Sequence, residues 1–193
     1  LREEPEAAEL GGEQRDVSVL FADLEGFTSF SERSSPPEVV AMLNAYWGKV
    51  VPVVAAEDGM IERFAGDAVM VVFNAASDQA DHAERAARAA LGFVEASEAI
   101  AAGKPNWPRF RVGVNSGPAV IGNVGAIEQR SFTAIGDTTN LAARLQTVSE
   151  PGRVVIGATT AAELPGAMLE PLGPLDLKGK SEPVQAFLLE RLG

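Results

Sequence analysis

The chain has 193 residues, 46% of them hydrophobic, no cysteine, and a formal net charge of −11. That length supplies one domain with a good core. The acidity argues against nucleic acid as a partner and against a polybasic membrane contact, and the lack of cysteine argues against a disulfide framework or thiol chemistry. Uninterrupted apolar stretches such as 50–56 are too short to span a bilayer, and no signal peptide is visible. Because the chain starts at Leu1, an upstream regulatory domain in a longer protein is expected, and a cytoplasmic location is expected for this segment.

Residues 1–15 are acidic, contain Gly11-Gly12, and read as a linker or the end of an incoming helix; 16–193 read as the catalytic-type domain. The first strand is expected at Val17–Ala22. Ser35-Pro-Pro-Glu38 is a capping box with proline in the first turn; it opens a long helix with Val39, Leu43, Tyr46, Val50 and Val54 at helical spacing, stopped by Asp58-Gly59. Met60–Phe64 and Ala68–Phe73 read as a hairpin around Gly66-Asp67. A second helix is expected from about Asp78 to Ala102. Two strands follow, Phe110–Asn115 and Ala119–Val124, separated at Ser-Gly-Pro118. Ser131–Ile135 leads through Gly136-Asp137 into a third helix reaching about Thr147, and Val154–Ile156, Met168–Glu170 and Val184–Leu189 supply late strands. This order predicts an α+β fold: a ferredoxin-like βαββαβ core with additional C-terminal α/β elements.

Asp23 stands where the first apolar run gives out. Alone it would be a turn-capping residue. Gly26 just beyond it lets a ligand approach the backbone, and the amides of Gly26, Phe27 and Thr28 at a helix start form a ready anion site. Asp67 alone would be a turn residue. Pairing of the hairpin beside the first strand would bring it next to Asp23, and two carboxylates that close repel unless a cation lies between them. Hard carboxylates beside phosphate-binding amides point to a divalent cation and to phosphoryl chemistry on a nucleotide. Asn140 and Arg144 are four apart and share a helical face, either as a ribose-and-phosphate grip or as a solvated stripe. Lys178, in Lys178-Gly-Lys180, is either a solvated turn residue or a counter-charge for terminal phosphates. His82, the sole histidine, reads as a surface residue at a helix start.

Phe21-Ala-Asp-Leu-Glu-Gly-Phe-Thr28, Arg63-Phe-Ala-Gly-Asp-Ala-Val-Met70, Val112-Gly-Val-Asn-Ser-Gly117, Gly136-Asp-Thr-Thr-Asn-Leu-Ala-Ala-Arg144 and Leu177-Lys-Gly-Lys180 together resemble the class III nucleotidyl cyclase catalytic domain of bacterial type. The resemblance implies a head-to-tail homodimer with its sites at the interface. It implies two Mg²⁺ or Mn²⁺ ions per site held by Asp23, Leu24 and Asp67, with Asn140 and Arg144 as catalytic residues reaching across from the other protomer. Gly26, Phe27, Thr28 and Lys178 would bind phosphate, and Arg63, Thr133 and Ala134 the base. Two departures stand out. The usual carboxylate of the base-reading pair is Thr133, as in a bacterial subclass linked to bicarbonate activation, and the usual lysine is Arg63, which that subclass does not account for; a basic residue found in some members after Ser-Gly is Pro118. The implied function is an adenylyl cyclase converting ATP to cyclic AMP and pyrophosphate. The alternatives are a guanylyl cyclase or a weakly active or non-catalytic nucleotide-sensing dimerisation module. A diguanylate cyclase is disfavoured by Ala65-Gly-Asp-Ala68 in place of its Gly-Gly-acid-acid turn. ATP is expected over GTP, because Glu62, the strand neighbour of Arg63, should face the opposite side of the sheet and leave guanine's donors unpaired.

Overall fold

In the computed structural model, which describes residues 12–126 and 129–193, the first strand is β1 (Gly12–Glu25). It is much longer than its apolar centre suggests because β4 (Arg109–Ala126) runs antiparallel to it along its whole length, from Gly12 opposite Gly122 to Glu25 opposite Arg109. Residues 12–15 of the expected linker therefore belong to the sheet; residues 1–11 lie outside the described residues. A short helix α1 (Phe27–Arg33) and the long helix α2 (Pro36–Ala56) follow, the latter closed by the Ser35–Glu38 capping box, with Ser35 N donating to Glu38 Oε2 at 2.7 Å. By length and hydropathy α2 would reach across a bilayer, but it lies on the sheet, and Met42, Tyr46, Val50 and Val54 are in the core. β2 (Met60–Ala65) and β3 (Ala68–Phe73) form the expected hairpin, and α3 (His82–Ala101) leads to β4.

β4 is one strand, where two were expected. Pro118 has no N–H to give, yet it costs no pairing: on the side away from β1, β4 pairs with β6 (Val154–Gly157) only at Val112–Val114 and with β5 (Gln129–Ile135) only from Val120 onward. In that gap the carbonyl of Pro118 accepts from Thr138 Oγ1 at 2.7 Å. Helix α4 (Asp137–Val148), a short α5 (Ala158–Ala162) absent from the sequence expectation, β7 (Met168–Leu175) and β8 (Val184–Arg191) complete the chain. The strand order β2-β3-β1-β4-β6-β8-β7 contains the ferredoxin-like order at one end and the C-terminal extension at the other, so the fold class read from the sequence holds.

The sheet divides the core. On one face α2 and α3 cover Leu20, Ala22, Val69, Val71, Phe73, Phe110 and Val112. On the other a smaller cluster joins Val17, Val19, Met70, Val72, Ile121 and Ala134 to Ala142 of α4. Fully buried Tyr46 and Phe110 stack edge to face with centroids 5.1 Å apart, a geometry that adds about 0.5–1.5 kcal/mol to the area term.

Candidate active site

Asp23 is part of β1 rather than beyond its end, and it faces Arg111 of β4 across the ladder. Arg111 Nε donates to Asp23 Oδ1 at 2.8 Å, and Nη1 donates to the Thr147 carbonyl at the end of α4 at 3.1 Å. On the other side Asp23 stands opposite Ala68, the residue after Asp67. The turn at Gly66, with φ +64, thus carries Asp67 to the side of Asp23. Burial, and after it the negative charge of Asp23, pushes the Asp67 carboxyl above its ordinary pKa; its own backbone N–H, that of Leu24, and the Arg111 charge work the other way. Hydrogen bonding to Asp23 in turn raises the Arg111 guanidinium. The two aspartates predicted as a pair are one, and the sequence reading missed the arginine that shares them. Its signal was there: a charged residue inside an apolar strand whose register puts it opposite a carboxylate.

Leu24 contributes backbone only, since its side chain is 3% exposed. Gly26 has φ +83, which favours glycine, and no side chain caps α1 behind it. Among the described residues no third His, Cys, Asp or Glu completes a metal cluster with Asp23 and Asp67. Two adjacent hard oxygen ligands, one of them resisting ionisation, fit a divalent cation that takes its remaining ligands from water and substrate phosphates.

A second group lies on α4. Asn140 is exposed and Arg144 half-buried on the same helix. Gly179, φ +79, packs so closely on Arg144 that a Cβ there would come within 3.0 Å of Nη2. Lys178 is exposed; Lys180 is the lysine that is tied down, by an ion pair with Asp137 at the start of α4. Among the described residues no hydrogen bond or ion pair joins Asn140, Arg144 or Lys178 to Asp23 or Asp67 within one chain.

Of the base-reading trio, Arg63 is exposed on β2 and Thr133 half-exposed on β5, opposite Gly122. Ala134 is buried, and its carbonyl accepts from Thr139 Oγ1 at 3.0 Å. Two expectations fail. Glu62 does not sit opposite Arg63 in facing: β2 is bulged between Ile61 and Arg63, and Glu62 Oε2 lies 3.2 Å from Arg63 Nε. His82 is buried, not a surface residue; its Nδ1 bonds Ser18 Oγ at 2.8 Å, and the chain continues through Ser116 Oγ to Thr160 Oγ1.

Residues 12–191 match the family model described as the adenylate and guanylate cyclase catalytic domain. The chain is 39% identical over 198 residues to adenylate cyclase 1 of Rhizobium meliloti, covering 97% of this chain and 30% of that protein. It thus spans about a third of the length of the curated relatives it matches. Among solved structures it is similar to the adenylyl cyclase CyaB from P. aeruginosa, with TM-score 0.85, 28% identity, and coverage of 95% of this chain and 98% of that one. It is also similar to the guanylate cyclase domain of RhGC from Catenaria anguillulae in complex with GTP, with TM-score 0.86, 28% identity, and coverage of 94% and 100%. With the fold, the five motifs and the paired aspartates in agreement, the chain belongs to the class III adenylate and guanylate cyclase catalytic domain family.

Proposed function

We propose that this domain is an adenylyl cyclase that forms 3′,5′-cyclic AMP and pyrophosphate from ATP, as a homodimer with its sites at the interface. The observation that carries the reading is the Asp23–Asp67 pair, set side by side by the β1–β3 register; burial first and then the charge of Asp23 raise Asp67, and a cation would relieve both. Asp23, Asp67 and the backbone at Leu24 would hold two Mg²⁺ or Mn²⁺ ions, which when bound acidify the ribose 3′-hydroxyl and offset charge on the phosphoryl oxygens. The uncapped amides from Gly26 to Thr28 bind phosphate. Asn140 orients the ribose, Arg144 meets the charge that develops at the α-phosphate, and Lys178 meets the leaving pyrophosphate. The 3′-oxygen bonds to the α-phosphorus, the bond to the pyrophosphate oxygen breaks, and the hydroxyl proton leaves to solvent.

Dimerisation has its own support. Val120 and Val124 of β4 and Ile135 of β5 share one face of the hairpin arm with Thr133 and are 47%, 48% and 50% exposed. Such a strip suits a protein partner better than solvent. Among the described residues no hydrogen bond or ion pair within one chain joins the aspartates to Asn140 or Arg144, which supports a site completed by the second protomer. Incubation with ATP and Mn²⁺ is expected to yield cyclic AMP and pyrophosphate in equal amounts. No cyclic product at concentrations where the dimer is populated would refute the reading.

A further inference from the structure

Strand β2 carries one residue too many. Met60 stands opposite Val72 and Arg63 opposite Met70, both in the cluster under α4, whereas Ile61 and Phe64 stand opposite Val71 and Val69, both in the cluster under α2 and α3. In an unbroken strand, residues 61 and 63 would share a face. The bulge at Glu62 shifts the phase and turns Arg63 away from the helical core. Without it the guanidinium would point into the layer where Phe64 packs on Trp47, with centroids 4.9 Å apart.

Glu62 is unusual in its own right. Its side chain is 2% exposed while that of Arg63 is 62% exposed. Its Oε2 is buried and, although 3.2 Å from Arg63 Nε, has no hydrogen-bond partner. A buried carboxylate oxygen left in that condition is costly, so its retention calls for an explanation.

We propose that Glu62 is a specificity-determining residue of the cyclase site: its buried carboxylate, 3.2 Å from Arg63 Nε, orients the guanidinium by charge rather than by a hydrogen bond and so presents the two terminal amino groups as a paired donor to the purine base. The inference rests on the cyclase reading and on Arg63 facing the base. A paired donor fits two neighbouring acceptors. Guanine offers O6 and N7; adenine offers N7 beside a 6-amino donor, so only one prong is satisfied. The held arginine therefore lets the site admit GTP alongside ATP. Neutralising Glu62 frees the guanidinium to turn and shifts the balance towards ATP.

The test is the ratio of kcat/KM for ATP to that for GTP, measured in the full chain with Mn²⁺. Glu62→Gln is expected to raise the ratio about tenfold, the scale of one bidentate base contact. Glu62→Asp, which keeps the charge, is expected to stay within about threefold of the parent protein. In an Arg63→Lys background, where no paired donor exists, Glu62→Gln is expected to leave the ratio unchanged. A ratio unmoved by Glu62→Gln, or moved equally in both backgrounds, overturns the proposal, since a merely structural Glu62 would lower both rates together. If Glu62→Gln does not fold, Arg63→Lys alone decides, because it too must raise the ratio. If the parent protein cyclises neither nucleotide, the cyclase reading has failed; the proposal is then judged by displacement of a fluorescent nucleotide analogue with ATP and with GTP, in which the same shift must appear.

Discussion

Asp67 is held in a position that suits a cation and not the free protein. Its raised pKa means that the folded state resists its ionisation more than the unfolded state does. Below the ordinary carboxylate range the group is neutral in both states and costs nothing. As pH rises through that range and through the raised folded value, stability is lost. Asp67→Asn is therefore expected to melt above the parent protein at neutral pH without metal, with the difference vanishing near pH 3. Activity should fall on the order of 10²-fold or more, because a ligand charge is deleted. A variant that melts lower at neutral pH, or cyclises ATP at the parent rate, would show Asp67 to be a turn residue. Arg111 makes the complementary case. It is the only cation bonded to Asp23 among the described residues, so Arg111→Gln should lower the metal-free melting temperature by about 2–4 °C, the shift for about 1 kcal/mol in a chain of this size. Added Mn²⁺ should recover most of that loss by binding the folded state. Equal losses with and without metal would contradict it.

Elements set the directions of these side chains, and two of them behave in ways that residue patterns alone do not disclose. The Lys178–Lys180 turn is docked on α4 by Lys180 and Asp137, and Gly179 leaves just enough room for Arg144. Gly179→Ala adds a methyl against Nη2 and forces a left-handed backbone on alanine. It should lower kcat about tenfold and the melting temperature by about 2–4 °C, the shift for about 1 kcal/mol of backbone strain; unchanged kcat would mean that the turn does not position Arg144. Ser18, Ser116, Thr160 and His82 stitch β1, β4, α5 and α3 through one buried hydroxyl chain. Ser116→Ala breaks it in the middle and should cost about 1–3 kcal/mol in denaturant unfolding, and a loss below about 0.5 kcal/mol would show the chain to be dispensable. Nothing in the sequence marks that chain: its members are three small hydroxyls and one histidine, scattered from residue 18 to residue 160 and brought together only by the fold. The bulge at Glu62 did leave a trace that went unread: Ile-Glu-Arg-Phe breaks the alternation, with two polar residues between two apolar ones. Pro118 misled in the opposite direction, since its cost depends on whether a neighbour strand is present on its open side. The capping box of α2 and the β2–β3 hairpin were legible because their signals are local. So was the aspartate pair, since each member is fixed by its own turn and strand.

At the scale of the whole molecule, the proposed site has two groups of residues on one chain, and among the described residues no hydrogen bond or ion pair joins them. Asp23 and Arg111 stand on β1 and β4 and Asp67 in the β2–β3 turn, while Asn140 and Arg144 ride on α4, whose Thr147 carbonyl accepts from Arg111. An exposed strip of Val120, Val124 and Ile135 is available to bring in a second copy. In a two-fold dimer each interface presents the same surface twice, so two sites form from four half-sites. The central claim is that each site draws its aspartates from one protomer and its Asn140 and Arg144 from the other. Mixing an Asp23→Ala chain with an Arg144→Ala chain tests this most directly. Each variant alone places a defect in both of its sites and should be nearly inactive. In a one-to-one mixture about half of the dimers are mixed, and each has one intact site, so cyclic AMP formation should recover to about a quarter of the parent rate. A verified mixed dimer that stays as inactive as its parents would place the whole site within one chain and contradict the account.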